Sequence, residues 1–210
     1  MRLNKLFAVI ALAAAPTLAQ ADDLFKIHAE AGVFDPSEVT IGEFETSSDY
    51  NMNAYVAFEH AIPLIPNARI DAISVESDKY ELSVASATAY YQFLDLDILS
   101  LDGGIGGTYV TEGVMADGTE FDAPMGHVFA EAAVAMPFLP NLSVYANMFK
   151  MVGVDSEGHD YKVGVRYNFD LTALNLSVTG GFRQMSFDID DASKESLGAQ
   201  GMFLNLGVII

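Results

Sequence analysis

Residues 197–210 read LGAQGMFLNLGVII. Counting back from Ile210, every second residue is apolar: Ile210, Val208, Leu206, Leu204 and Met202. Between them stand Ile209, Gly207, Asn205, Phe203 and Gly201, a mixed and mostly small set. A period of two places the two sets on opposite faces of one β-strand. In water, such a strand with nothing after it offers an open edge and an apolar face, and invites aggregation. Neither is a hazard if the strand seals a closed barrel and its apolar face meets lipid. Residues 197–210 are therefore expected to close a barrel, with Met202, Leu204, Leu206, Val208 and Ile210 forming the closure.

The same alternation recurs upstream, in residues 24–34, 50–60, 69–77, 82–93, 99–109, 128–136, 142–149, 161–169 and 174–183. In the first of these, Phe25, Ile27, Ala29, Ala31 and Val33 oppose Lys26, His28, Glu30 and Gly32. The cleanest sets Tyr161, Val163, Val165, Tyr167 and Phe169 against Lys162, Gly164, Arg166 and Asn168. The weakest is 69–77, whose apolar parity shifts between Ile70/Ala72 and Ile73/Val75, the mark of a bulge. Gly103, Gly104, Gly106 and Gly107 crowd one segment. They weaken a lone strand, but in a barrel they admit a close neighbour or a large facing side chain.

The nine connections alternate in character. Those at 35–49, 78–81, 112–123, 155–159 and 188–196 are polar and acidic, and several are long. Those at 61–67, 94–97, 137–141 and 170–173 are short and hold Pro, Asn and Asp. Pro137 to Asn141 resembles the earlier run from Ile62 to Asn67. Short periplasmic turns and long outer loops are the habit of outer-membrane barrels. Aromatics gather near strand ends: Phe25, Phe58, Phe93, Phe138 and Phe169 toward one rim, and Phe34, Tyr50, Tyr109 and Tyr161 toward the other. They suit interfacial girdles. The expected fold is all-β: a transmembrane, antiparallel, up-and-down barrel of about ten strands whose polar faces line the interior.

Composition narrows the class further. Arg2 and Lys5, an apolar run from Leu6 to Ala14, and Ala19-Gln20-Ala21 read as a cleavable secretory signal over 1–21. The barrel domain is expected at 22–210. The chain has no Cys, which excludes disulfides, thiol chemistry and a lipoprotein anchor. Its formal charge is −19 while 51% of it is hydrophobic, so the two characters must be segregated. So negative a chain does not suit nucleic acid, whose affinity comes from Lys and Arg on phosphates.

Several runs resemble a known family. These are Pro63-Leu64-Ile65-Pro66-Asn67, the Tyr90-Tyr91 pair before a short turn, Leu101-Asp102-Gly103-Gly104, and Tyr167 to Asp170 followed by Gly181-Phe182-Arg183. Together they are similar to small Gram-negative outer-membrane barrel proteins of the "Gly-Gly" type, over nearly all of the chain after the signal. The resemblance implies outer-membrane location and a barrel fold, and it carries over no catalytic residue. Such barrels usually end in an aromatic residue read by the barrel assembly machinery; this chain has Ile210 there.

The candidate chemistry lies in the lumen. Lys26, Glu30, Asp102, Glu131, Lys162, Arg166 and Arg183 fall on interior faces. Glu30, Asp102 and Glu131 are expected to pair with Arg166 and Arg183 and to plug a barrel barely wide enough for side chains. A narrow pore with a charged lining is the other use of these residues. His28 with Glu30, and His127 with Glu131, pair a base with an acid, but no Ser is placed beside them as a nucleophile. His159 with Asp155, Glu157 and Asp160 has the loose look of a metal site. The expectation is no catalytic centre, no metal and no cofactor. A barrel enzyme acting on lipid or peptide, and a soluble periplasmic ligand-binding barrel, are the competing classes. Acidic residues of the long connections, among them Glu38, Glu43, Glu45, Glu112, Asp117, Glu120, Asp122, Asp155, Glu157, Asp188, Asp190 and Asp191, suit divalent cations bridging to lipopolysaccharide phosphates. The expected partners are outer-membrane lipids, lipopolysaccharide and the assembly machinery.

Overall fold

The computed structural model describes residues 25–41, 44–46, 50–76, 81–114, 120–171, 175–189 and 195–210. The expected signal segment lies outside them, as do several of the acidic residues named above. Eleven strands form: β1 (Phe25–Ile41), β2 (Phe44–Thr46), β3 (Asn51–His60), β4 (Asn67–Glu76), β5 (Glu81–Asp95), β6 (Leu99–Val114), β7 (Glu120–Ala135), β8 (Leu142–Val152), β9 (Ser156–Asp170), β10 (Asn175–Ile189) and β11 (Glu195–Ile209). All pair antiparallel with their neighbours, and β11 returns to β1. The three-residue β2 only folds back on the far end of β1, and the other ten close an up-and-down barrel. Closure runs from His28 opposite Ile209 to Ile41 opposite Leu197. It extends to Ile210, whose N–H donates to the Ile27 carbonyl at 3.0 Å and whose carbonyl accepts from Ile27 at 2.8 Å.

The lower part of the wall behaves as the alternation requires. Met202, Leu204 and Leu206 turn outward and stand exposed. Tyr161, Val163, Val165, Tyr167, Phe169 and Leu171 are each at least 40% exposed. The eleven positions from 161 to 171 that they span match, on a tilted strand, what crosses about 30 Å of hydrocarbon. In this lower part the apolar faces point out, the reverse of a ligand-binding barrel.

Farther up, the two faces exchange character. Above Asp71 the inward face of β4 becomes Ile73 and Val75, both buried. On β10 the inward residues after Arg183 are Met185 and Phe187, while Gln184 and Asp188 face out. On β11 Leu197 and Ala199 point in. With Phe34, Val39, Leu82, Val84, Val110, Met125 and Met151 they fill the upper lumen with an apolar core. So the buried ions lie in the lower part of the interior, and above them it is mainly apolar, with Asn51 and Asn53 the buried polar exceptions on β3.

This exchange corrects three expectations. The parity shift in the 69–77 segment is not a bulge, since β4 holds one unbroken register with both neighbours. It is the point where the inward face turns from polar to apolar. Bulges occur instead at Pro36/Glu38, Gln92/Leu94 and Val110/Gly113. Phe34 does not join the outer girdle: it is fully buried opposite Phe203, because its parity is that of Glu30 and Gly32. Finally, much of the expected loop sequence is strand. Residues 35–41, 112–114, 120–123, 156–159, 188–189 and 195–196 continue the hairpins upward, and on β1, for instance, Pro36 and Val39 are buried while Asp35 and Ser37 are exposed.

The apolar upper core gives a direct test. Phe187→Ala should cost about 3–5 kcal/mol, as for a large side chain removed from a packed core, whereas a lumen lined by polar groups and water would barely register the change. Urea unfolding of the refolded protein in detergent measures the difference.

Candidate functional site

Below the apolar core the lumen is crossed by a network of buried ions. Its centre is Arg69 on β4, 6% exposed at the side chain. The guanidinium forks onto Asp71, two residues on and on the same face, with Nε and Nη2 each donating at 2.8 Å. Nη1 donates to Glu131 Oε2 across the lumen at 2.9 Å. Its flat face lies 3.9 Å from the centre of the Tyr55 ring. Planarity, a fixed fork and a stacking face are what Arg offers and Lys does not.

Glu131 is shared. It also accepts from Asn147 Nδ2 at 2.9 Å and lies 3.8 Å from Arg166. Arg166 in turn reaches Glu30 at 3.2 Å and donates to the Tyr55 hydroxyl at 3.3 Å. Glu30 accepts from Thr179 at 3.2 Å and lies 3.1 Å from His28 Nε2. The chain of contacts thus joins β1, β3, β4, β7, β8, β9 and β10. Higher up, Arg183 forks onto Asp160 at 2.9 and 2.6 Å, and Lys162 lies 4.0 Å from Asp71. Among the described residues, four cations (Arg69, Lys162, Arg166, Arg183) meet four anions (Glu30, Asp71, Glu131, Asp160). Within this network, though not in the chain as a whole at −19, the charges therefore balance. Buried charges persist only when paired and hydrogen-bonded, and this set meets that condition.

Inward glycines make room for the side chains that fill the space. Tyr90 on β5 and Phe129 on β7 flank Gly104 in one row, and their rings meet at 5.8 Å. Thr88 reaches His127 over Gly106 at 2.9 Å. Tyr145 and Phe203 approach to 6.4 Å above the facing pair Gly164 and Gly181. Of the four crowded glycines, Gly104 and Gly106 therefore serve large inward neighbours, while Gly103 meets Phe93 on the outer face.

Of the five expected lumen residues, the structure brings together Glu30, Glu131 and Arg166. Arg183 is bound elsewhere, to Asp160 on the adjacent strand. Asp102 makes no ion pair among the described residues, and its buried Oδ1 has no protein partner. It lies opposite Glu131, a like charge, and neither expected cation reaches it. Lys26, at the lower mouth, lies 3.8 Å from Glu59. Arg69, Asp71 and Asp160 were not expected in the network. Arg69 and Asp71 sit on the strand with the disguised pattern, and Asp160 was read as loop.

The histidine groupings resolve separately. His127 is held by Thr88 and by Thr108 at 2.8 Å, not by Glu131. His159 stacks on Tyr161 and faces out, while Asp160 faces in, so the alternation of β9 splits the supposed metal cluster. No three His, Asp or Glu side chains converge among the described residues. Between the ionic and apolar layers lies a cavity of about 20 Å³ lined by Tyr55, Asp71, Ile73, Lys162 and Met185 among others. That holds about one water; ligand pockets run to hundreds of Å³.

No family model matches the chain, and no curated protein sequence does. Several solved barrels resemble it in outline. Neisserial surface protein A shares 13% identity with a TM-score of 0.37, over 89% of this chain and 96% of that one. A deltaS2 mutant of the monoaromatic hydrocarbon channel TodX shares 8% with a TM-score of 0.43, over 95% and 93%. The Pseudomonas putida toluene transporter TodX shares 8% with a TM-score of 0.32, over 95% and 92%.

Proposed function

We propose that the chain is an integral outer-membrane barrel with a structural or surface-interaction role, and that its lumen is sealed rather than conducting. The observation that carries this reading is the stacking of two layers across the lumen: a network of paired ions below and a packed, largely apolar core above. The outward belt supports lipid as the surrounding medium. Outer-membrane lipids and the assembly machinery are the partners such a barrel requires. No catalytic role or cofactor is invoked. Lipopolysaccharide bridged through divalent ions is the ligand the acidic upper hairpins suit.

Two measurements test the reading. The protein should fractionate with outer membranes and migrate differently in SDS gels before and after heating. In planar bilayers it should give no steady conductance. A steady, large current from the unmodified protein would defeat the sealed-lumen assignment, and recovery in the aqueous fraction would defeat the membrane assignment.

A further inference from the structure

The rim bearing the short turns is apolar in a way that neither closure nor the lumen explains. Each connection there exposes large apolar side chains: Leu64 and Ile65 between β3 and β4, Leu96 and Ile98 between β5 and β6, Phe138 between β7 and β8, and Leu171 after β9. Leu64 is 92% exposed and Phe138 94%. Turns in water take polar residues, Gly and Pro, and a ring of bare Leu, Ile and Phe is the opposite.

Leu64 adds a second observation. Its φ is 67°, in the left-handed region that a branched L-residue seldom enters and that Gly or Asn would occupy easily. The turn is held there by the Tyr91 hydroxyl, which donates to the Leu64 carbonyl at 3.0 Å. A strained backbone that displays an apolar side chain to the surroundings points to something binding it. The similar run at Pro137 to Asn141 places its left-handed residue at Asn141 instead, yet still leaves Phe138 bare. Different turn geometries arrive at the same exposure.

We propose that this rim is a lipid-inserting collar, its turn residues seated at the boundary between headgroups and acyl chains of the periplasmic leaflet. The inference rests on the membrane reading above. Two features favour lipid over a protein partner. The apolar turns are spread round the whole rim, as a planar surface demands, not gathered into one patch. They also continue the outward belt, since Phe58, Phe93, Met136 and Phe169 lead directly into them. Exposed Asp95, Asp97 and Asp170 alternate with them and fix the depth as shallow. Lys26 is the basic residue at this rim among the described residues, so insertion depends on apolar area, not on anionic lipid.

The chain has no Trp, so one introduced Trp reports its own surroundings. Phe138→Trp and Leu96→Trp would be refolded, full length, into phosphatidylcholine vesicles, with Val165→Trp in the middle of the belt as reference. Folding is checked by heat-modifiable migration. Both rim tryptophans should be quenched most by lipid brominated near the headgroup end of its chains, should resist aqueous acrylamide, and should not respond to salt. Val165→Trp should be quenched by lipid brominated deeper. Rim tryptophans open to acrylamide and untouched by brominated lipid, with Val165→Trp quenched, overturn the collar alone. An unquenched Val165→Trp overturns the membrane reading and the collar with it.

Discussion

Removing residues 206–210 will abolish assembly of the barrel. These five residues supply the ladder to β1 from His28 opposite Ile209 to Ala31 opposite Leu206, and the ladder to β10 from Asn175 to Val178. They also supply the two backbone hydrogen bonds between Ile27 and Ile210. Without them the lower parts of β1 and β10 expose unpaired N–H and C=O groups at the level of the outward apolar belt, which the proposed function sets in lipid. Each such group in hydrocarbon costs several kcal/mol, and their sum exceeds the roughly 5–15 kcal/mol that holds a typical domain together. The truncated chain should show no heat-modifiable band and no protease-resistant core. A normal folded band from it would falsify the assignment of β11 as the closure. Ile210→Phe keeps both backbone bonds and places an aromatic ring at the rim, so that variant should assemble at least as well as the parent.

How far the sequence revealed this barrel depended on where each strand lay relative to the belt. Within the belt the environment imposes period two with one sign, apolar out and polar in, and that sign is readable from Phe25 to Val33 or from Tyr161 to Phe169. The connection asymmetry was readable too, because tight turns need Pro, Asn and Asp. Above the belt the period survives but the sign reverses, so Ile73 and Val75 looked like a defect, and residues 156–159 looked like a loop. The ionic network was harder still. Side-chain alternation says which residues face inward, but not which of them meet across a lumen. Glu131 reaches Arg69 from a strand 62 residues away in sequence. Asp102 shares their parity and was expected to pair, but its row places it beside Glu131 rather than beside a cation.

Arg69→Ala will cause the largest loss of stability among single substitutions in the ionic layer. It strands two carboxylates at once: Asp71 loses its forked partner, and Glu131 loses one of its two arginines. Breaking a buried pair from one side costs about 3–5 kcal/mol, mainly for the charge left behind. The removed guanidinium also vacates its place against Tyr55 and leaves the ion network with four anions and three cations. Arg69→Lys keeps the charge but cannot make the fork or the stack, so its loss should be intermediate. The decisive comparison is the pair Arg69→Ala and Asp71→Ala. Since each single change orphans the other residue, the double variant should lose less than the sum of the two, by about 0.5–3 kcal/mol. Urea midpoints at constant slope would measure the cycle. Strict additivity would mean that the forked contact contributes nothing as a pair, and that the ionic layer fills space without binding the strands together.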